Sequence, residues 1–201
     1  MFRITCLLVL VVATSAPVWS QSDEPAVQTW NEILLEAIRN DLARPNVHAR
    51  NLHHFSTGQY ALQLLTEGLD GTAVDAAIAW PDAPDGIGTW SPGTTGHRDM
   101  MAAYAFRFIS LRYAASPDWG ETLGLLVNAF IDATGTIPSN LLNNSEAAAY
   151  GNSVAEAINA AYLADGANQQ GNYANTCYEP VNDPLDVTEE GQCSFTLEDP
   201  N

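Results

Sequence analysis

Three of the four histidines, His48, His53 and His54, lie close enough in the sequence to suggest a metal site. On a helix, two imidazoles that share a metal ion are normally spaced by three or four residues, so that they lie on one face. His53 and His54 are adjacent and therefore diverge by about 100° around a helix axis. His48 precedes His53 by five residues, which is also unsuitable. The pattern favours packed or surface histidines, and no metal ligand is assigned.

The segment Thr95-Gly96-His97-Arg98 is the best candidate for an anion site, because it immediately precedes a predicted helix. Backbone N–H groups at a helix N-terminus favour anions. A multiply charged oxyanion also needs several cations around it, and only Arg98 and Arg107 are near in sequence. We therefore interpret His97 as a loop histidine beside a helix-capping threonine, and assign no catalytic or cofactor-binding residue.

Oxygen-bearing side chains are concentrated between Asp165 and Asn172, in the sequence DGANQQGN. Such a loop could hold calcium, but it lacks the ligand order and the twelfth-position glutamate of an EF-hand. The sequence favours an Asx-rich helix terminus there and leaves calcium open.

The charge composition excludes several classes of function. Twenty-four acidic residues stand against seven basic ones, and the net charge is -17. All the basic residues are arginines, so a Schiff-base enzyme, a Walker A phosphate loop and a lysine general base are excluded. We expect neither nucleic-acid binding, which needs clustered cations, nor attraction to anionic membranes.

Residues 1–20 have the pattern of a secretory signal peptide. Arg3 precedes an apolar stretch from Ile4 to Val12, which is too short to span a bilayer. Val18 and Ser20 place small residues before a cut ahead of Gln21. We expect export to the periplasm or the extracellular space and no membrane association after cleavage; an uncleaved anchor is the alternative.

Cleavage would leave two cysteines, Cys177 and Cys193, in a compartment that permits disulfides. We predict that they are bonded to each other, which would contribute about 3 kcal/mol in the chain-entropy model. In the cytosol they would remain two thiols.

Apolar residues recur at helical spacing along most of the mature chain, and no alternating strand pattern is present. Five helices are predicted, over approximately Pro25–Arg44, Val47–Leu69, Arg98–Ala115, Ser116–Ile131 and Ser145–Tyr162. The apolar stripes predict three groups of core residues: Trp30, Ile33, Leu34, Ala37 and Ile38 in the first helix; Leu52, Phe55, Leu62, Leu65 and Leu69 in the second; and Leu123, Leu126, Val127, Phe130 and Ile131 in the fourth. The fifth carries Tyr150, Val154, Ile158 and Tyr162 at intervals of four.

These elements predict an all-α bundle of about five helices. The helical domain spans 21–170, and 171–201 forms an irregular tail rich in Asn, Pro and Asp. Between Gly68 and Gly96 lies a long loop rich in Pro, Gly and Trp. A groove could be lined by Trp80 and Trp90 of this loop together with Trp119. The favoured interpretation is that these aromatic side chains are buried and clamp the loop onto the bundle.

Three segments carry a family resemblance: TWNEILLEAIRND (29–41), RPNVHARNLHHFSTGQYAL (44–62) and GNSVAEAINAAYLADGANQQGNYANTCYEPVNDPL (151–185). In their order along the chain and in their residues they resemble the N-terminal helical region of bacterial vanadium-dependent haloperoxidase-like proteins. That family shares its helical fold with type 2 phosphatidic acid phosphatases. The chain departs from the family at Tyr60-Ala61-Leu62, where relatives usually carry Tyr-Asp-Ala.

The resemblance implies that vanadate or phosphate is held by residues of a C-terminal half: a Lys and Arg on one helix, a Ser-Gly-His turn, and a later Arg and His. Thr95-Gly96-His97 only superficially matches that turn, and the sequence ends at Asn201, where the resemblance would lead into that half. We therefore expect the structural N-terminal portion of such a protein, which binds no cofactor and is inactive alone. A truncated or split relative is the simplest origin, and an intact relative that diverged into a non-catalytic domain is the alternative. Its partner would be the missing half or a second copy, and the third and fifth helices would expose apolar faces. The alternative is a free-standing exported helical binding domain.

Overall fold

The computed structural model describes residues 24–69, 78–90 and 93–174. Over these ranges all regular secondary structure is helical, which confirms the all-α prediction. In chain order, the helices are α1 (Glu24–Arg39), α2 (Pro45–Thr66), α3 (Thr95–Tyr113), α4 (Trp119–Thr134), α5 (Pro138–Asn144) and α6 (Glu146–Leu163). Within the described ranges, short 3-10 helices cover Ile87–Thr89 and Gln169–Gly171.

Local chemistry sets the ends of α2, which begins and ends before the predicted limits. Pro45 occupies its first turn, where a missing N–H costs nothing. At the other end Gly68 has a φ of +77°, and the N–H groups of Gly68 and Leu69 donate to the carbonyls of Leu65 and Leu64 at 3.0 and 2.9 Å. This is a Schellman motif, and it stops the helix before Leu69.

Other helix limits also differ from the prediction: α1 ends at Arg39 and not at Arg44, and α3 begins at Thr95 and not at Arg98. The helix predicted from Ser116-Pro117 starts at Trp119. The helix α5 was not predicted, because its seven residues are too few to show a period; Pro138 begins it. Ser145 precedes α6 as its N-cap, since its hydroxyl accepts the Ala148 N–H at 3.2 Å.

The core surrounds α3, which packs against α1, α2, α4 and α5. Its side chains are buried nearly all round. Phe55 of α2 joins Tyr104 and Phe108 of α3 in an aromatic cluster with ring centroids 5.2 to 6.0 Å apart. Such pairs add stability beyond the area they bury.

Glycines permit two close helix approaches in this core. A Cβ atom on Gly151 of α6 would overlap the carbonyl oxygen of Met100 in α3. A Cβ atom on Gly58 of α2 would overlap the Tyr104 hydroxyl and lie 2.5 Å from Cδ1 of Ile158. With no side chain at Gly58, the Tyr104 hydroxyl reaches the α2 backbone and donates to the Phe55 carbonyl at 2.9 Å.

The predicted core of α2 is wrong at two positions. Phe55 and Leu62 are fully buried, but Leu52 and Leu69 keep 36% and 54% of their surface exposed. The side of α2 that faces the core also carries polar residues and a glycine: His48, Asn51, His54, Gly58 and Gln59. Leu52 lies at the edge of this core-facing side, and Leu69 lies beyond the end of the helix.

The apolar stripes of the other helices are confirmed. Fully or almost fully buried are Trp30, Leu34 and Ala37 in α1, Leu126 and Phe130 in α4, and Tyr150, Val154 and Ile158 in α6. The remaining members, Ile33, Ile38, Leu123, Val127, Ile131 and Tyr162, are half-buried.

The chain divides into two compact units, Met1–Asn159 and Ala160–Asn201. In the second unit the description reaches Ala174. It contains the last turn of α6, the Asp165-Gly166 turn and the second 3-10 helix. The signal peptide predicted at 1–20, and Cys177 and Cys193, lie outside the described residues. The domain limits 21–170 and 171–201 stay predictions.

Candidate functional site

A group of buried and half-buried polar side chains joins the α1–α2 turn to the α3–α4 turn. We call it the turn cluster, and its members are Asp41, Arg44, His48, Asn51, Tyr113 and Ser116. Asp41 is at its centre, with a side chain only 4% exposed. Its carboxylate accepts from Nη2 of Arg44 at 2.9 Å and from the Ser116 hydroxyl at 3.0 Å. Burial alone would raise the pKa of Asp41, but hydrogen bonds from Arg44, the Leu42 backbone and Ser116, with the Arg44 charge, outweigh it and lower the pKa.

His48 and Asn51 form the inner part of the turn cluster. Nε2 of His48 lies 2.9 Å from the Leu42 carbonyl, and its ring stacks on Tyr113 with centroids 6.4 Å apart. Nδ2 of Asn51 donates to the Tyr113 hydroxyl at 3.2 Å. Nδ1 of His48 and Oδ1 of Asn51 are buried without a hydrogen-bond partner. One open imidazole nitrogen does not make a metal site, which needs three or four ligands.

The other two histidines of α2 diverge, as their adjacency predicts. His54 is buried, and its Nδ1 lies 3.5 Å from Nη2 of Arg112. His53 is exposed, and the two rings are tilted by 58°. The Arg112 guanidinium also lies over Phe108, 5.4 Å from the ring centroid. Among the described residues no group of three or more His, Cys, Asp or Glu side chains could hold a metal ion.

The anion candidate at Thr95–Arg98 is arranged differently from the prediction. His97 is in the first turn of α3 rather than in a loop, and it is buried. Its backbone N–H donates to the Thr94 hydroxyl at 3.3 Å, so Thr94 is the capping threonine. This bond already occupies one of the first-turn N–H groups that would otherwise be open to an anion.

A buried acid reinforces this conclusion two residues along. Asp99 is 7% exposed and accepts from the Ser145 hydroxyl at 2.9 Å. Burial raises the pKa of Asp99, against the opposing effects of the Ser145 hydrogen bond and the Arg98 charge. The N-terminal end of α3 therefore already holds a carboxyl group of its own.

The two tryptophans of the long loop, Trp80 and Trp90, are half-buried. Trp90 lies against Gly96, where a Cβ atom would be 3.2 Å from the indole. Nε1 of Trp80 is buried. The pKa of Tyr150 in α6 is raised to about 12, mainly because the phenol is buried and also because of the charge on Asp82, two residues after Trp80.

The Asp165–Asn172 segment has the bonds of a helix terminus. The Asp165 carboxylate accepts the Ala167 N–H at 2.9 Å, which forms an Asx turn. Nδ2 of Asn168 donates to the Ala174 carbonyl at 2.8 Å. Asn168 and Asn172 both adopt left-handed backbone conformations, which asparagine tolerates well.

The comparisons with known proteins do not extend these observations. No protein-family model, no curated protein and no solved structure matches this chain. Among the described residues, no helix is both long and apolar enough to cross a membrane.

Sequence reasoning missed the centre of the turn cluster. Asp41 and Ser116 are 75 positions apart, and nothing in their local sequence links them. Asn51 could have been found: it lies three residues from both His48 and His54 and therefore shares their face.

Proposed function

We propose that this chain is an exported helical binding domain that acts by association and performs no catalysis itself. The proposal rests on the observation that the buried acids make hydrogen bonds within the fold. Asp41 and Asp99 each join segments distant in sequence, through Ser116 and Ser145 respectively. Their hydrogen bonds hold the fold together.

The exposed surface supports a free-standing domain. The large apolar residues that remain exposed in the described part of the chain are Leu35, Leu42, Leu52, Tyr60, Leu69, Leu125 and Ile137. None lies in α3 or α6, which correspond to the third and fifth predicted helices. The expectation that these two would expose apolar faces is therefore wrong: α3 is enclosed by its neighbours, and Gly151 brings α6 against it.

The second candidate is the structural portion of a haloperoxidase-like protein, with vanadate held elsewhere in a complete family member. Its support is the sequence resemblance, whose first two segments, 29–41 and 44–62, form α1 with its following turn and α2. Neither candidate includes turnover by this chain alone, and both include export.

An activity assay tests the common part of both candidates. Purified chain is supplied with a chromogenic phosphate ester, and separately with vanadate, peroxide and bromide. We expect turnover no greater than that of heat-treated protein, because an oxyanion meets a net charge of -17 and no lysine. Vanadate-dependent turnover that disappears in a folded His97→Ala variant would overturn the proposal and restore the anion site.

A further inference from the structure

The outward side of α2 differs in chemistry from the rest of this acidic protein. A stripe of residues spaced by three or four, Ala49, Leu52, Ser56, Tyr60 and Gln63, runs along it. Leu52 and Tyr60 are 36% and 58% exposed. No member is charged, and none of the 22 residues of α2 is acidic. We call these five residues the α2 stripe.

The other long outward-facing helices carry acids on their exposed sides. Glu32 of α1, Asp132 of α4 and Glu156 of α6 are all exposed. With a net charge of -17 on each molecule, most approaches of two copies bring acids face to face. The α2 stripe is a surface where that repulsion is absent.

The stripe is also symmetric about its central residue. Leu52 and Tyr60 lie four residues on either side of Ser56, and Ala49 and Gln63 lie seven on either side. In an antiparallel pair of α2 helices with a two-fold axis at Ser56, Leu52 of each copy faces Tyr60 of the other. Ala49 and Ser56 are small, so the two backbones can approach closely.

The charges at the two ends of α2 complement each other in this arrangement. Glu67, which follows the helix and accepts from Nε2 of Gln63 at 2.9 Å, comes opposite the first turn of the other α2. That turn contains no acid and begins at Pro45. A carboxylate is favourable at a helix N-terminus because of the helix dipole.

We propose that a second copy of this chain docks on the α2 stripe, forming an antiparallel α2–α2 dimer about a two-fold axis at Ser56. A C2 contact needs one self-complementary patch, which this stripe provides. From Ala49 to Gln63 it is about 21 Å long at 1.5 Å per residue. A single helix pair of this length is at the low end of specific interfaces. We therefore expect a weak dimer, with a Kd of roughly micromolar.

Cross-linking tests the position of the axis. Ser56→Cys brings two thiols together at the two-fold axis, and mild oxidation should give a disulfide-linked dimer whose linking peptide contains residue 56. Ser139→Cys is the matched control, because Ser139 is an exposed serine at the start of α5. Mass spectrometry of the cross-linked peptides separates these products from any that involve native cysteines. Equal cross-linking of the two variants indicates random collision and overturns the proposal.

Sedimentation equilibrium over a range of concentrations tests the association without cross-linking. Tyr60→Glu places two carboxylates in the interface and should raise the Kd by about tenfold or more. Leu125→Glu, at a leucine of α4 that is 39% exposed, should leave the Kd unchanged. A native chain that stays monomeric well above micromolar concentration contradicts the dimer and points to another protein as the occupant of the stripe.

This inference deepens the proposed binding role by naming one partner, and the two can fail separately. A monomer with no turnover removes the dimer and leaves the binding domain. A dimer with turnover removes the non-catalytic role and leaves the interface.

Discussion

Gly151 of α6 lies so close to the carbonyl oxygen of Met100 in α3 that a single added methyl group would overlap it. The obstacle is a backbone atom of the central helix and cannot rotate away. The approach of α6 to α3 therefore depends on glycine at this position.

We expect Gly151→Ala to destabilise the protein by about 1–3 kcal/mol, as overpacking in a core does. Gly124→Ala is the control: Gly124 is also helical, but nothing lies within 4 Å of its added Cβ. There the better helix propensity of alanine should stabilise by about 0.5–1 kcal/mol. Urea unfolding measures both changes, and a neutral or stabilising Gly151→Ala would contradict the packing.

Asp41→Asn should destabilise the protein at pH 7 by about 1.5–3 kcal/mol, because the charged hydrogen bonds with Arg44 and Ser116 are weakened. The pKa of Asp41 is lowered by folding. Its ionised form therefore contributes stability above the unfolded pKa, near 3.8, and that contribution is lost as the pH falls through the folded pKa. Unfolding free energies measured from pH 7 to pH 2 should show the wild type and the variant converging in acid.

Asp99→Asn should have the opposite effect at pH 7, because folding raises the pKa of Asp99 and the buried ionised carboxyl is unfavourable. The cost appears as the pH rises above 3.8 and is complete above the folded pKa. An asparagine oxygen can still accept from the Ser145 hydroxyl. We expect the variant to match or exceed wild-type stability at pH 7 and to lose this advantage below pH 3.8. A large loss at neutral pH would show that the negative charge itself stabilises the α3–α6 contact.

Processing and the disulfide remain predictions from the sequence. Mass spectrometry of exported material should give a chain that begins at Gln21, with Cys177 bonded to Cys193. Material that retains residues 1–20 would refute the cleavage, and two free thiols in protein isolated without reductant would refute the bond.

The stripes of α1 and α6 were predictable because each helix needs one apolar side and the period of 3.6 places its members within a single segment. Trp30, Leu34 and Ala37, and likewise Tyr150, Val154 and Ile158, are buried as that period requires. The end of α2 was predicted too late, at Leu69, although Gly68 carries the local signal for it, since glycine supplies the left-handed residue of a helix C-terminus.

Only the tertiary structure decided which side of α2 faces the core and which partners Asp41 binds. Apolar periodicity gives α2 no clear answer, because polar residues occupy much of its inner side and Leu52 and Tyr60 lie outside. The inner side is set by where Tyr104 and Ile158 meet the gap at Gly58. Asp41 meets Ser116 because the packing of helices brings two turns together, and the spacing of residues along one segment carries no information about that crossing.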